Sequence, residues 1–365
     1  MATTTTTANG LAEEKRAMRI GTGFGRNTWL LIAGLALLPV VVAFLPLVGG
    51  PADLISTYTF LQLSLMIVYS VAVLGLNLLT GFNGQISLGH GAFFAAGAYC
   101  AAALVAHLHW PHMITLPAVA LFCFVIGYLF GLPALRLEGH YLALATFSLA
   151  IAVPQILKYR HLEGVTGGVQ GLNLPKITAP LGLPFTPDQW MYLLVLAVAV
   201  PLFWFTRNLL DSRTGRALMA IRDQPMAAAT MGINISQYKA VTFGLSAMIT
   251  GIAGAMHAGM FRFVAPDSYP LELSITLLVG MVVGGLASLP GAIFGGIFVQ
   301  VIEKYADSIA RELSSTLRLP IDIEPWTIYG IALILLVYFM PTGIAGGIAR
   351  LRQVVKTRSR RADGA

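Results

Sequence analysis

The sequence predicts an all-α protein: a polytopic transmembrane helical bundle of about ten spans, some of them short or broken, with both termini inside. Three observations carry this prediction. Hydrophobic residues are 56% of the 365, roughly 200 side chains, which is what about ten membrane helices of about 20 residues consume. Charged residues are only 11%, under half the roughly 25% of soluble domains, so the chain lacks the polar surface to clothe soluble cores. The apolar residues also fall in long runs separated by short basic segments, as membrane topology requires. An ordinary soluble enzyme and a disordered chain are thereby excluded. The net charge of +7 is distributed as topology signals, so nucleic acid is not an expected partner.

Residues 1–28 are polar, carry a threonine run from Thr3 to Thr7 with Lys15, Arg16, Arg19 and Arg26, and read as a mobile tail. Trp29 to Val48 is apolar and longer than the roughly 7–15 residues of a signal-peptide core. No convincing small-residue cleavage pattern follows it, so it is expected to remain as the first span. Further spans are expected at 59–80, 86–108, 113–133, 140–158, 189–207, 238–260, 271–288, 290–306 and 326–341. Glycine and proline interrupt these runs around Gly81 to Gly91 and Ser288 to Gly291, the places for broken or re-entrant helices. The transmembrane domain is thus 29–343. The tail 344–365, with Arg350, Arg352, Lys356, Arg358, Arg360 and Arg361, is expected to hold the inner membrane surface.

Orientation follows from the basic residues. With the N-terminus inside, the inner side holds the N-tail, Arg136, the segment Arg207 to Lys239 and the C-tail, about sixteen of the 23 basic residues. Two polar segments exceed the otherwise tight connections: an outer one, 159–188, rich in glycine and proline, and an inner one, 207–237, charged and helix-forming. Connections of that length are usually functional when they are not linkers. Ser87-Leu88 and Phe93 recur as Ser288-Leu289 and Phe294, which fits either an internal repeat or chance in low-complexity sequence. The spacings Gly127…Gly131, Gly280…Gly284 and Gly291…Gly295 favour close helix contact.

Chemistry is sparse. No G-x-x-x-x-G-K-[ST] loop occurs, and the glycine cluster Gly164 to Gly171 has no lysine in place, so any ATP must be bound by another subunit. There is no H-E-x-x-H helix and no G-x-S-x-G elbow, and Cys100 and Cys123 lie inside apolar runs. No catalytic residue, metal site or cofactor is expected in this chain. Glu272, Glu303 and Lys304 sit near span ends, leaving His90, His140 and His257 as the titratable groups at depth, which weighs against an ion-coupled carrier.

The most informative stretch runs from Gly75 to Phe94, where Asn77, Asn83, Gln85, Ser87 and His90 concentrate polarity between two apolar runs. Lipid cannot satisfy such groups, so they face either other helices or a water-filled path. In the inner segment Leu218, Ile221, Ala228 and Met231 recur at near-helical intervals, Pro225 suits a break or first turn, and Gly232 suits a stop. A short helix lying across the inner face is suited to a groove on a partner domain, or is a solvated loop helix.

The stretch Gly75 to Phe94, together with Gly139-His-Tyr-Leu-Ala-Leu-Ala-Thr-Phe147, Thr166-Gly-Gly-Val-Gln-Gly-Leu172, Gly215-Arg-Ala-Leu-Met-Ala-Ile-Arg-Asp223, Ala227 to Asn234 and Phe339-Met-Pro-Thr-Gly343, resembles the LivM-type permease subunits of branched-chain amino acid ABC importers. The resemblance runs in order from about Ser56 to Gly343. It implies a prokaryotic inner-membrane, multi-pass subunit that performs no covalent chemistry. Its implied partners are a second, LivH-type permease, two cytoplasmic ABC ATPase subunits that bind the ATP, a soluble periplasmic or extracellular solute-binding protein, and membrane lipid. The cargo implied is a branched-chain amino acid or a related small amphipathic solute. A self-sufficient secondary carrier or channel is the alternative, favoured by the polar hairpin and the repeat.

Residue by residue, the resemblance implies that Asn77, Asn83, Gln85, Ser87 and His90 border the solute path. It implies ATPase coupling for Gly215, Arg216, Ile221, Arg222, Asp223, Ala227, Ala228, Gly232 and Ile233. The family's coupling helix often carries a Glu-Ala-Ala…Gly pattern; Ala227, Ala228 and Gly232 keep the spacing, but Met226 stands where the glutamate would be. Thr166, Gly167, Gly168 and Gly171 are implied as the binding-protein face, with Arg160 and Lys176 for steering.

Overall fold

The computed structural model describes residues 57–135, 137, 139–175, 177 and 185–317, with scattered positions between 327 and 350. The expected tail 1–28, the first span 29–48, Arg136, Lys176 and positions 349 and 351–365 of the tail 344–365 lie outside the described residues, and only isolated positions of the expected span 326–341 fall within them. Among the described residues the chain is almost entirely helical. In order these are α1 (Thr57–Asn77), which continues as a π-helical turn (Leu78–Phe82), α2 (His90–Leu108), α3 (His112–Ala134) and α4 (His140–Leu157). A one-turn helix α5 (Glu163–Thr166) and a short strand β1 (Leu172–Asn173) follow. Next come α6 (Pro187–Asp211), α7 (Arg213–Asp223), α8 (Pro225–Thr230) and α9 (Ile235–Phe261). Strand β2 (Phe263–Val264), α10 (Leu271–Gly284) and α11 (Leu289–Leu317) complete the described elements.

Six of these helices are long and apolar enough to cross a membrane: α1 with its π turn, α2, α3, α4, α6 and α9. They divide into an inner pair and an outer set. α1 and α9 have 78% of their most apolar window buried, whereas α3, α4 and α6 have 28%, 22% and 28%. The central position of α9 is written in its small residues. Gly251 and Gly254 meet the backbone of α2 at Gly97 and Phe94, and Gly127 and Gly131 of α3 lie on Gly244, Ala247 and Ala240 of α9. Small side chains let the helices approach closely enough for dispersion to replace the hydrophobic drive that lipid does not supply. The peripheral helices keep large apolar side chains outward, such as Leu121, Leu129, Leu144 and Trp204.

The expected spans 271–288 and 290–306 take a different form. α10 has 14 residues, about 21 Å of helix, which is short of the roughly 30 Å hydrocarbon layer. It stops at Gly285 (φ +121°), turns through 285–288, and restarts as the 29-residue α11. Gly284 packs on the Gly291 backbone and Gly295 on that of Gly280, as the sequence spacing anticipates.

α9 is 27 residues long, about 40 Å, so its two ends mark the two ends of the bundle. Lys239, near its start, accepts the Gln85 side-chain amide. Past its C-terminus, β2 pairs antiparallel with β1, Val264 opposite Leu172 and Phe263 opposite Asn173. The 207–237 segment and the 81–89 connection therefore share one end, and 159–173 shares the other with 262–268.

Candidate functional site

The 81–90 connection is built by its own polar side chains. Thr80 Oγ1 donates to the Gln85 carbonyl at 2.9 Å, and the Gln85 N–H returns to the Leu79 carbonyl at 3.2 Å. Gln85 Nε2 donates to the Lys239 carbonyl at 3.3 Å, and the Leu88 N–H donates to Thr146 Oγ1 at 2.9 Å. His90 begins α2 and is held at both ring nitrogens, with Ser87 Oγ 2.8 Å from Nδ1 and Ser246 Oγ 2.6 Å from Nε2. Ser246 spends its proton on the Gly75 carbonyl at 2.6 Å. It must therefore accept from His90, which puts the ring proton on Nε2 and makes Nδ1 the acceptor for Ser87. The result is one directed chain, Ser87 to His90 to Ser246 to Gly75, all of it buried.

Asn77 is fully buried and uses both ends of its amide: Oδ1 accepts from the Ala287 N–H and Nδ2 donates to the Ser288 carbonyl, each at 2.9 Å. It thus clamps the 285–288 turn onto α1. Ser288 Oγ in turn accepts the Gly291 N–H at 3.1 Å, and Ser87 Oγ accepts the Gly89 N–H at 3.3 Å. The recurring Ser-Leu pairs both lie at helix starts but in different register: Ser288 directly precedes α11, whereas Ser87 stands three residues before α2. Asn83 differs from its neighbours: it is buried, yet neither amide atom has a hydrogen-bond partner among the described residues. Of the other histidines expected at depth, His257 is half-buried among rings, 5.3 Å from Phe94, 4.6 Å from Phe261 and 5.8 Å from Tyr269. His140 is instead exposed at the start of α4, whereas His112, at the start of α3, is buried.

At the same end of the bundle, α7 and α8 form a cap. Ser212 Oγ accepts the Thr214 N–H and starts α7, whose face of Gly215, Ala217, Leu218 and Ile221 is buried. Gly215 lies against the Leu210 backbone, where any side chain would collide. Arg216 turns back to the Asp211 carbonyl at 3.1 Å, and Arg222 points inward, donating from Nη1 to the Gly81 carbonyl at 2.9 Å while pairing with Asp223 at 2.9 Å.

Gln224 breaks the helix (φ −152°), and Pro225 opens α8. The Ala-Ala…Gly spacing has a local explanation. The Ile233 N–H bonds the Ala228 carbonyl at 3.2 Å and the Gly232 N–H bonds the Ala229 carbonyl at 3.0 Å, with Gly232 at φ +81°. This is a Schellman cap, which needs a residue tolerant of the left-handed region at that place. Of the anticipated apolar stripe, Leu218, Ile221 and Ala228 are buried, but Met231 is 82% exposed. The stripe assumed that the helix runs on through Met231, but α8 ends at Thr230 and leaves Met231 as its C-cap. Met226, which the sequence showed only as a departure from an expected glutamate, is 79% exposed. Ala227 and Asp223 are exposed beside it, and Ile233 is half-buried.

At the opposite end, Thr166, Gly167, Gly168 and Gly171 form a compact turn. Thr166 is buried; its hydroxyl lies 2.8 Å from the Leu157 carbonyl and 3.0 Å from that of Leu162, and accepts the Gly168 N–H at 3.2 Å. Gly171 (φ +70°) presses on the Val264 carbonyl, which keeps β1 beside β2. These four residues shape the turn, and what it presents outward is Val165 and Val169, 54% and 65% exposed, which sequence reasoning passed over. Arg160 is exposed nearby, and Lys158 pairs with Asp267 across the same surface. Among the described residues no group of three or more His, Cys, Asp or Glu side chains could hold a metal ion.

Comparison with known proteins bears on this arrangement. The family described as the permease component of the branched-chain amino acid transport system matches residues 58–345. A high-affinity branched-chain amino acid transport system permease protein LivM of Escherichia coli (strain K12) is 31% identical over 284 residues, covering 72% of this chain and 66% of that protein. The LivH permease protein of Salmonella typhimurium is 24% identical over 296 residues, 76% of this chain and 91% of that protein. A probable LivM of Methanocaldococcus jannaschii is 23% identical over 227 residues, 60% of this chain and 64% of that protein. The chain thus spans just under two thirds of the LivM relatives' length. No solved structure matches it.

Proposed function

This chain belongs to the branched-chain amino acid transport permease family, and from that premise we propose that it is the transmembrane permease subunit of an ABC importer. In this reading it moves branched-chain amino acids or a related small amphipathic solute across a prokaryotic inner membrane. ATP hydrolysis in cytoplasmic partner subunits drives it, and a second, LivH-type permease and a soluble solute-binding protein complete the assembly. The segment 207–237 faces the cytoplasm, consistent with the basic residues gathered there, and 159–177 faces outward.

The observation that carries this reading is the α7–α8 cap. It is fastened to the bundle by a buried face, yet its tip holds Met226 and Met231 in the open on a helix that is closed by its own Schellman bonds. Exposed methionines on a rigid turn suit a hydrophobic groove on another protein, because thioether side chains adapt their shape at low cost. Met226 stands where the family pattern has a glutamate, which leaves Arg216, Arg222 and Asp223 as the polar contacts. Arg222 donates to the Gly81 carbonyl and pairs with Asp223, and the exposed Arg216 donates to the Asp211 carbonyl. Docking here is mainly apolar, through the methionines, with Arg216, Asp223 and Ala227 beside them.

On the solute path the five polar residues divide. Asn77, Gln85, Ser87 and His90 are bonded within the bundle, so they set the shape of the path. Asn83, with an amide not consumed by any described neighbour, is the one left to contact solute or water. At the outer end Val165 and Val169, carried on the Thr166–Gly171 turn, meet the binding protein.

Reconstitution tests the proposal. Proteoliposomes holding this chain with its second permease and ATPases should accumulate radiolabelled leucine only with ATP and binding protein. Leucine uptake by this chain alone, without ATPase or ATP, would overturn the proposal in favour of a self-sufficient carrier.

A further inference from the structure

We infer that Arg222 and Asn77 are positioning residues that join the α7–α8 cap to the 285–288 turn, so that displacement of the cap reaches the broken α10–α11 hairpin through hydrogen bonds to backbone. The inference rests on the importer reading for its purpose, but the connection itself stands on geometry.

The route has no gap. Arg222, next to last in α7, donates from Nη1 to the Gly81 carbonyl at 2.9 Å. Its stem lies on Gly84, where an added Cβ would come within 2.8 Å of Arg222 Cγ, and Asp223 holds its Nε at 2.9 Å. The guanidinium is therefore fixed on three sides, and a charge-assisted bond of this kind is stronger than a neutral one. Gly81 belongs to the π turn and lies directly under Asn77 Oδ1 and the Ala287 N–H, so close that no side chain fits. Asn77 then carries the contact to Ala287 and Ser288 at 2.9 Å each. Ala287 has φ +53°, a left-handed conformation that residues with a Cβ avoid, and the Asn77 amide bonds it in that state. Ser288 passes the contact to the start of α11 through its bond to the Gly291 N–H.

Coupling needs an element with two arrangements as well as a chain of contacts. The π turn Leu78–Phe82 provides one. It forms the last turn of α1, a form found mostly as single turns and frequently at functional sites, and rewinding it to α geometry supplies the second arrangement. Arg222 pulls on a carbonyl of that turn, and Asn77 stands at its entrance. Moving the cap shifts the balance of the turn and with it the Asn77 clamp.

Hydrogen exchange on the complete transporter in nanodiscs tests this, with leucine import measured on the same preparation. Arg222→Met keeps the stem and removes the fork. It should speed amide exchange about tenfold at 79–85 and also at 287–291, the loss of a charged hydrogen bond being of that order. ATP hydrolysed per leucine imported should rise in step. Arg222→Lys, which keeps the charge, should fall between wild type and Arg222→Met, and it carries the test if Arg222→Met fails to assemble. Exchange changed at 79–85 but unchanged at 287–291 would overturn the inference by making Arg222 a local contact. Failure of the unsubstituted transporter to import leucine would count instead against the importer reading, and the exchange result would still decide the relay.

Discussion

The two ends of the bundle solve the same problem differently. Each carries an excursion of chain beyond the apolar helices, each is rich in turn-forming residues, and each contains a helix of six residues or fewer. The 159–173 end satisfies itself. Thr166 serves three backbone groups, β1 pairs with β2, and Lys158 bridges to Asp267. The 207–237 end is anchored along one face and unfinished at its tip, where Met226 and Met231 meet solvent. A closed turn is suited to presenting a fixed shape to a visiting protein. An anchored helix with an apolar tip is suited to lasting attachment and to being pulled. The difference between the ends is thus one between display and leverage.

Substitutions should separate these roles in the isolated chain. Leu218→Asp puts a carboxylate into the buried face of α7 and should cost several kcal/mol, read as lost monodisperse protein after membrane extraction. Recovery of folded protein at wild-type yield would show that the cap is not anchored there. Thr166→Val leaves the Gly168 N–H and two carbonyls without the hydroxyl, a loss of about 1–3 kcal/mol. Faster proteolysis confined to 158–175 is the expected readout, and unchanged proteolysis would mean that β1–β2 pairing alone holds the turn. Met226→Asp with Met231→Asp should change stability by no more than about 0.5 kcal/mol, since both are exposed. The same pair should sharply reduce retention of the ATPase subunits on affinity purification. Retention at the wild-type level would move the docking surface elsewhere.

Much of the fold was legible because membrane helices announce themselves by length and polarity. Spans at 59–80, 86–108, 113–133, 140–158, 189–207 and 238–260 match helices within a few residues at most ends. The glycine spacings were legible for the same reason, since close approach leaves few residue types available. The break after α10 was marked by the glycine and proline of Ser288 to Gly291, but its onset at Gly285 was not, because the apolar run continues through that glycine and the amide that holds the turn belongs to the distant Asn77. Site residues were harder. The sequence shows that Asn77, Gln85, Ser87 and His90 are polar and buried, but whether their partners are water or protein depends on Ser246, Ser288 and Lys239, more than 150 positions away. Met231 was misplaced because α8 ends at Thr230, before the stop expected at Gly232, and leaves Met231 outside the helix.

The π turn has one more consequence. Each residue in a helix turns the chain by about 100°, so losing a single residue between Leu78 and Phe82 would let that last turn relax into ordinary α geometry and swing the 83–89 connection, with Gly84 under the Arg222 stem, away from α7. Here the count of residues is constrained as tightly as their identity. A length change in that stretch would be felt at Arg222, 141 positions after Gly81, even where every side chain was kept.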